Sequence, residues 1–512
     1  MTASPQERIL YRRGIAVRVT LAYDRVSHLS RKFLSHLPVD GGGVNGISRL
    51  NGPAGQIFLK HTDTGSFRIS EKSLNAPFHS LLPDDAWSSR SQRIYREGQE
   101  QLWYDTRRVI VQFNTTDKAA QKRVLEDKSV ERYALFSNPF KLYTLLLHST
   151  SDTIGVATRL HCDPAVTFCE PDFGEFFDVE ESIAVQRNTV TGTSCDWHLH
   201  RTRVNELKST LAKPTATAVK MAVVDQGFND HLCLRDNTDT DSSAYVKRTK
   251  EGYQIIGGKP FIGAKDHGTA CAGMVGATPR EKVKFSGVAP ACRLTLLTAY
   301  YGRYPTQASM AKAFLYALGE VEDASSLQDD RCVDIISCSA APANAANLKL
   351  WSVMGLVLNY AKNCARGSRG VPIFWAVAHR TGHSVGCDEI ATADGVVAVG
   401  ATDAENRVRG SVSGPALDLV APGIDVAVLK GTDTFHYTHG TSYATPLVAG
   451  IAARLLEIRP DLTASQIVDT LRLTANKCVG ECVSFDERGH HDRYGHGIVD
   501  AWDAVKCVRL GL

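Results

Sequence analysis

The chain has 512 residues, 43% of them hydrophobic and 22% charged, with a formal net charge of +3. This is an ordinary globular balance, and the charge is too small to argue for a nucleic-acid or anionic-membrane partner. No apolar run approaches the roughly 18 residues a transmembrane helix needs, and the length allows about three domains.

The first residues, MTASPQERILYRRGIAVRVTLAYDR, hold no uninterrupted apolar stretch of the kind a secretory signal requires. Thirteen cysteines are scattered through the chain, an odd number. A secreted disulfide framework is usually even and denser, so reduced thiols and a cytoplasmic setting are expected.

Residues 1–104 carry β-type patterning in GIAVRVTLAY (14–23) and GQIFLKHTDTGSFRIS (55–70), with the glycine-rich VDGGGVNG between them. They read as a small β-rich region of unknown role, with no catalytic constellation. Residues 105–174 follow a clearer rhythm. RRVIVQFN predicts a strand and DKAAQKRVLEDK an amphipathic helix. RYALFSNPFKLYTLLLHS predicts two strands turning at Asn138-Pro139, TIGVATRLHC a second helix and AVTFCEPDF a last strand. The order βαββαβ is the ferredoxin-like α+β pattern, which many unrelated functions share.

Residues 175–193 read as a linker. From residue 194 onward, and clearly from Lys213, near-continuous apolar strands (VKMAVVD, ACRLTLLTA, VDIISCS, VPIFWAVA, GVVAVGA) alternate with helical stretches. That alternation predicts a mostly parallel, doubly wound α/β sheet over 194–512.

Three segments could carry chemistry. VKMAVVDQGF delivers Asp225 at the end of a buried strand, where it could partner a histidine or simply make an Asx turn. DHGTACAGMVGA places His267 before a helix of small residues, as a catalytic base or a helix cap. HGTSYATPLVAGIAARLL opens a long apolar helix at Ser442, whose position suits stabilisation of a developing oxyanion, or an ordinary N-cap. Together, Asp225, His267 and Ser442 follow one of the known chain orders of a Ser-His-Asp triad.

The residues around all three resemble the subtilisin-like serine peptidases. D-Q-G, H-G-T-A-C-A-G and G-T-S-Y-A-T-P-L-V-A-G match that family's D-x-G, H-G-T-x-x-A-G and G-T-S-x-A-T-P-x-V-A-G. S-C-D-W-H-L (194–199), D-I-I-S-C-S-A-A-P (334–342), V-V-A-V-G-A-T-D (396–403), D-L-V-A-P-G (418–423) and the closing segment 489–501 extend the likeness over about 194–507. The resemblance implies a serine endopeptidase with polypeptide substrates, Ser442 as nucleophile, His267 as general base and Asp225 orienting it. It implies that substrate lies along Ser339, Ala340 and Ala341 as an added strand. T-F-C-E-P-D-F resembles the ending of the family's propeptides, so 105–174 is expected to be an intramolecular chaperone and inhibitor, released by cleavage within 175–193.

One position departs from the family. The second oxyanion donor there is an asparagine closing a strand of the type W-A-x-G-N, whereas this chain has W-A-V-A-H. His379 stands in the asparagine's place, with Arg380 next to it and Ala378 replacing a glycine. An imidazole N–H could serve as the donor; the alternative is a weakened homologue that binds peptides and cuts them poorly. Cys271 reads as a buried thiol, and His198 as structural rather than a metal ligand paired with His200. No cofactor is needed for the chemistry. Structural calcium is a family possibility, for which Asp236, Asp239 and Asp241 offer oxygens without a defined loop spacing. Cys478, Cys482, His490 and His491 have the residue types of a zinc site, but family members carry a similar loop without metal.

Overall fold

Along Arg108–Phe113 (β1) the side chains alternate in direction, and both faces are used. The computed structural model describes residues 101–175, 196–207, 218–261, 265–299, 306–320, 327–339, 348–378 and 388–511, with backbone strands between Glu7 and Glu97. Val109, Val111 and Phe113 point to one face, where Lys118–Leu125 (α1) and Thr153–His161 (α2) cover them with Val124, Leu125, Val156 and Leu160. Val130–Ser137 (β2), Leu142–Leu147 (β3) and Val166–Pro171 (β4) complete an antiparallel sheet of order β2-β3-β1-β4. The chain order in this segment is βαββαβ. Upstream, Glu7–Arg12, Ile15–Tyr23, Ile94–Glu97 and Gln101–Tyr104 pair in that order, and Gly174–Glu175 adds to the last.

The large C-terminal sheet is built from Lys220–Asp225 (β5), Ala244–Arg248 (β6), Tyr253–Gly257 (β7), Arg293–Thr298 (β8), Ile335–Cys338 (β9), Ile373–Ala376 (β10), Val396–Thr402 (β11) and Leu419–Pro422 (β12). Its order is β7-β6-β8-β5-β9-β10-β11-β12, and every neighbouring pair is parallel except β6–β7. Parallel strands are covered on both faces, which is why they read as apolar runs. Ala222, Val224, Ile373 and Trp375 face one core; Met221, Val223, Phe374 and Val397 face the other. The helices Asp266–Gly276 (α3) and Thr441–Ile458 (α6) lie in the second core, and Gln307–Ala317 (α4) and Ser352–Asn363 (α5) in the first. Two hairpins escaped the sequence reading: β6–β7, and Ile424–Lys430 (β13) with Thr434–His439 (β14). In β7 and β14, exposed and half-buried residues leave neither an apolar run nor a clean period of two.

The free face of the βαββαβ sheet packs on α4 and α5. Ile110, Phe136, Leu142 and Phe168 share a core with Phe314 and Met354. Phe140 meets Tyr360 edge-on at 5.3 Å, and Phe173 meets Trp351 at 5.9 Å. Helix α5 has no side-chain cap of its own on Trp351. Buried Glu170 supplies one from the other segment: its carboxylate accepts from the Ser352 N–H at 2.7 Å and from the Ser352 hydroxyl. A carboxylate there also meets the positive end of the helix dipole. Asp172 is hydrogen-bonded to the Tyr253 hydroxyl, which lies 2.8 Å from Thr306 Oγ1, the cap of α4. Burial pushes the Asp172 carboxyl up, against the pull of those hydrogen bonds and of Arg108 and Arg248.

Candidate active site

Asp225 ends β5, and His267 is the second residue of α3. Ligands of open α/β sheets gather at such carboxyl ends of strands. His267 Nδ1 lies 2.9 and 3.0 Å from the two Asp225 carboxylate oxygens. With Nδ1–H donating there, Nε2 keeps its lone pair and can accept a proton. Asp225 is 2% exposed and also accepts from the Gln226 N–H at 2.7 Å.

The closeness of α3 to β5 depends on Gly268. A Cβ there would sit 2.3 Å from the Gly227 carbonyl oxygen and 3.0 Å from Asp225 Cβ. Two side chains anchor the turn: Thr269 Oγ1 accepts from the Asn229 N–H at 2.7 Å, and Asp266 accepts from the Asn229 amide at 2.6 Å. The His267 imidazole is held well above its usual range. Burial lowers it, and the charge and hydrogen bond of the Asp225 carboxylate raise it. The sulfur of Cys271 adds no charge, because burial pushes that thiol up and keeps it neutral.

Ser442 is the second residue of α6, so its backbone N–H is among the first four, which have no partner within a helix. In this rotamer its hydroxyl donates to the Ser339 carbonyl at 3.4 Å. Thr441 Oγ1 donates to the Val377 carbonyl at 2.6 Å and ties the helix start to the chain leaving β10. The Tyr443 ring, buried, stands 5.9 Å from the His267 ring. Sequence reasoning missed Thr441, Tyr443 and Asn229, because their roles lie in contacts with residues far away in the chain.

Val377 and Ala378 are buried, and the Ala378 carbonyl accepts from the Val412 N–H at 3.0 Å. His379 and Arg380 follow directly but lie outside the described residues, as do Ala340 and Ala341. Ser339 is described: it leaves β9 buried, and its hydroxyl donates to the Ser442 carbonyl at 2.8 Å.

Two carboxylates of the acidic tract already have cationic partners. Asp236 pairs with Arg280, and Asp239 lies 3.5 Å from Arg293 and accepts from the Ser242 N–H at 3.2 Å. Among the described residues, the one group of three His, Cys, Asp or Glu side chains close enough to share an ion is Asp225, His267 and Cys271. Cys478, Cys482, His490 and His491 form no such group; His490 Nε2 bonds the Leu417 carbonyl at 2.8 Å. His198 is buried and stacks on Phe285 at 6.0 Å, while His200 is exposed beside Asp196 at 3.4 Å.

The family model described as "Subtilase family" matches residues 216–497, more than half of the chain. The chain belongs to the subtilase family. It is a subtilisin-like serine endopeptidase, a hydrolase of peptide bonds, with an α/β fold. It is 27% identical over 439 residues to an alkaline protease of Shouchella clausii, covering 83% of this chain and 97% of that protein. It is 25% identical over 405 residues to a calcium-dependent protease of Nostoc sp., covering 70% of this chain. That match spans 56% of the Nostoc protein, little more than half its length. Among solved structures, the epidermin leader peptide-processing serine protease of Staphylococcus aureus aligns with a TM-score of 0.57 at 18% identity, over 78% of this chain and 98% of that one. At that identity the likeness speaks for the fold.

Proposed function

We propose that this subtilase cuts polypeptides through Ser442, His267 and Asp225, and that it is made as a zymogen. Ser442 Oγ attacks the scissile carbonyl after turning from the Ser339 carbonyl towards the imidazole. His267 takes the proton at Nε2 and returns it to the leaving amine. Asp225 holds the tautomer and stabilises the imidazolium. The Ser442 N–H, at the positive end of α6, is one oxyanion donor and His379 the other. Substrate pairs with the chain at Ser339, Ala340 and Ala341. The observation that carries this reading is the two-point bond of His267 Nδ1 to the buried Asp225 carboxylate, at the carboxyl end of a central strand of the sheet.

Residues 105–174 act as chaperone and inhibitor, and cleavage within 175–193 frees the enzyme. Docking of that segment through Glu170, at the start of α5, and Asp172, on Tyr253 of β7, supports this role. Structural calcium is suggested by the relative named for it; ligands from the Asp236–Asp241 tract would have to leave Arg280 and Arg293.

Fluorophosphonate labelling tests the reading. The processed protein should be labelled and the Ser442→Ala variant should not. Label that ignores the substitution, or none in processed protein, sinks it. The second reading, a peptide-binding homologue that cuts poorly, is favoured by the histidine in the asparagine's place. It predicts labelling at a rate that His379→Ala leaves unchanged, whereas a working donor would be lost.

A further inference from the structure

In a regular helix the Ser442 carbonyl would accept the N–H four residues on. In α6 that residue is Pro446. Proline has no N–H, and its ring crowds the carbonyl four residues back. The orphaned oxygen is reached instead from two other elements. The Ser339 hydroxyl donates to it at 2.8 Å and the Cys271 thiol at 3.3 Å. A carbonyl has two lone pairs and can accept both. Ser339 is 5% exposed and Cys271 0%, so water does not compete for the site. Burial keeps the Cys271 thiol protonated and able to donate.

We propose that Ser339, with Cys271 as second donor, is a positioning residue for the nucleophile: the two fix the Ser442 carbonyl that Pro446 leaves without a helical partner. This rests on the reading of Ser442 as nucleophile. The arrangement joins three elements at one atom. Ser339 follows β9, Cys271 stands one turn beyond His267 in α3, and the shared acceptor belongs to the first turn of α6. Holding that carbonyl fixes the Ser442 peptide, and with it the direction of Cβ–Oγ relative to the imidazole. A catalytic atom displaced by about 1 Å can lose about 10² in rate. Ser339 therefore touches the nucleophile at two points: its hydroxyl holds the Ser442 carbonyl, and its own carbonyl accepts from Ser442 Oγ at 3.4 Å.

The test uses the full chain, allowed to process, with kcat, KM and Tm measured on a soluble chromogenic peptide. Ser339→Ala should lower kcat about 10-fold or more, within the loss that misplacement brings, with little change in KM, because the backbone edge stays. Ser339→Thr and Ser339→Val have one shape and differ in the hydroxyl; the threonine variant should turn over at least about 10-fold faster. Cys271→Ser should keep the activity that Cys271→Ala reduces, and the alanine change should add to Ser339→Ala. Equal kcat for the threonine and valine variants, or a Ser339→Ala variant that loses Tm alone, overturns the proposal. If the Ser339 variants fail to fold, equal kcat for Cys271→Ser and Cys271→Ala overturns it. Ser442→Ala serves as control. Turnover that survives in it refutes the nucleophile reading itself; an inactive Ser442→Ala beside a fully active Ser339→Ala refutes the positioning role alone.

Discussion

Gly268→Ala gives a sharp test of how His267 is placed. By propensity alone, alanine within a helix should stabilise it by about 1 kcal/mol. The structure demands the opposite sign. The new Cβ would stand 2.3 Å from the Gly227 carbonyl oxygen and 3.0 Å from both Asp225 Cβ and the Phe228 ring. Comfortable contact begins near about 3.5 Å, so the start of α3 must retreat from β5 by about 1 Å. The His267–Asp225 separations of 2.9 and 3.0 Å would then open beyond hydrogen-bonding range. We expect kcat/KM to fall about 100-fold and stability to fall by about 1–3 kcal/mol. Peptide hydrolysis gives the first quantity and thermal unfolding the second. A Gly268→Ala protein that keeps kcat/KM within twofold and melts higher than the parent would refute the close-approach argument.

Two further predictions concern charge. His267 must be neutral to act as base, and Asp225 raises its pKa, so activity is lost as pH falls through that raised value. The acid limb of kcat/KM should therefore lie above the ordinary imidazole value of about 6.5. Asp225→Asn should move the limb to lower pH and cut kcat by roughly 10⁴; an unmoved limb would assign it to another group. Glu170→Ala removes the cap of α5, a loss of about 1–2 kcal/mol, or about tenfold in docking of residues 105–174. In a Ser442→Ala precursor this should speed proteolysis of the docked segment, and unchanged resistance would show that Glu170 does not hold it.

The strands of the large sheet were legible because each is buried on both faces and reads as an unbroken apolar run. Hairpin β6–β7 was not. Tyr253 is buried, but Gln254 and Gly257 are exposed, so the stretch shows neither an apolar run nor a period of two. Carboxylates at Asp236 and Asp239 looked like possible cation ligands until Arg280 and Arg293, distant in sequence, came to meet them. Ser339 was read as part of a substrate edge; its hydroxyl turned out to reach the Ser442 carbonyl, 103 residues away.

What the sequence by itself determined is local. It set Asp225 at the end of an apolar strand, His267 and Ser442 at the starts of helices, and small residues beside each. Those features follow from propensity and periodicity within about ten residues. Only the tertiary structure decided by what contacts these groups are held. His267 finds Asp225 across 42 residues because α3 packs on β5 at a glycine, and the carbonyl freed by Pro446 finds its donors on two other elements. A single stretch of chain records what each residue offers. The packing of separate elements selects the partner that accepts it.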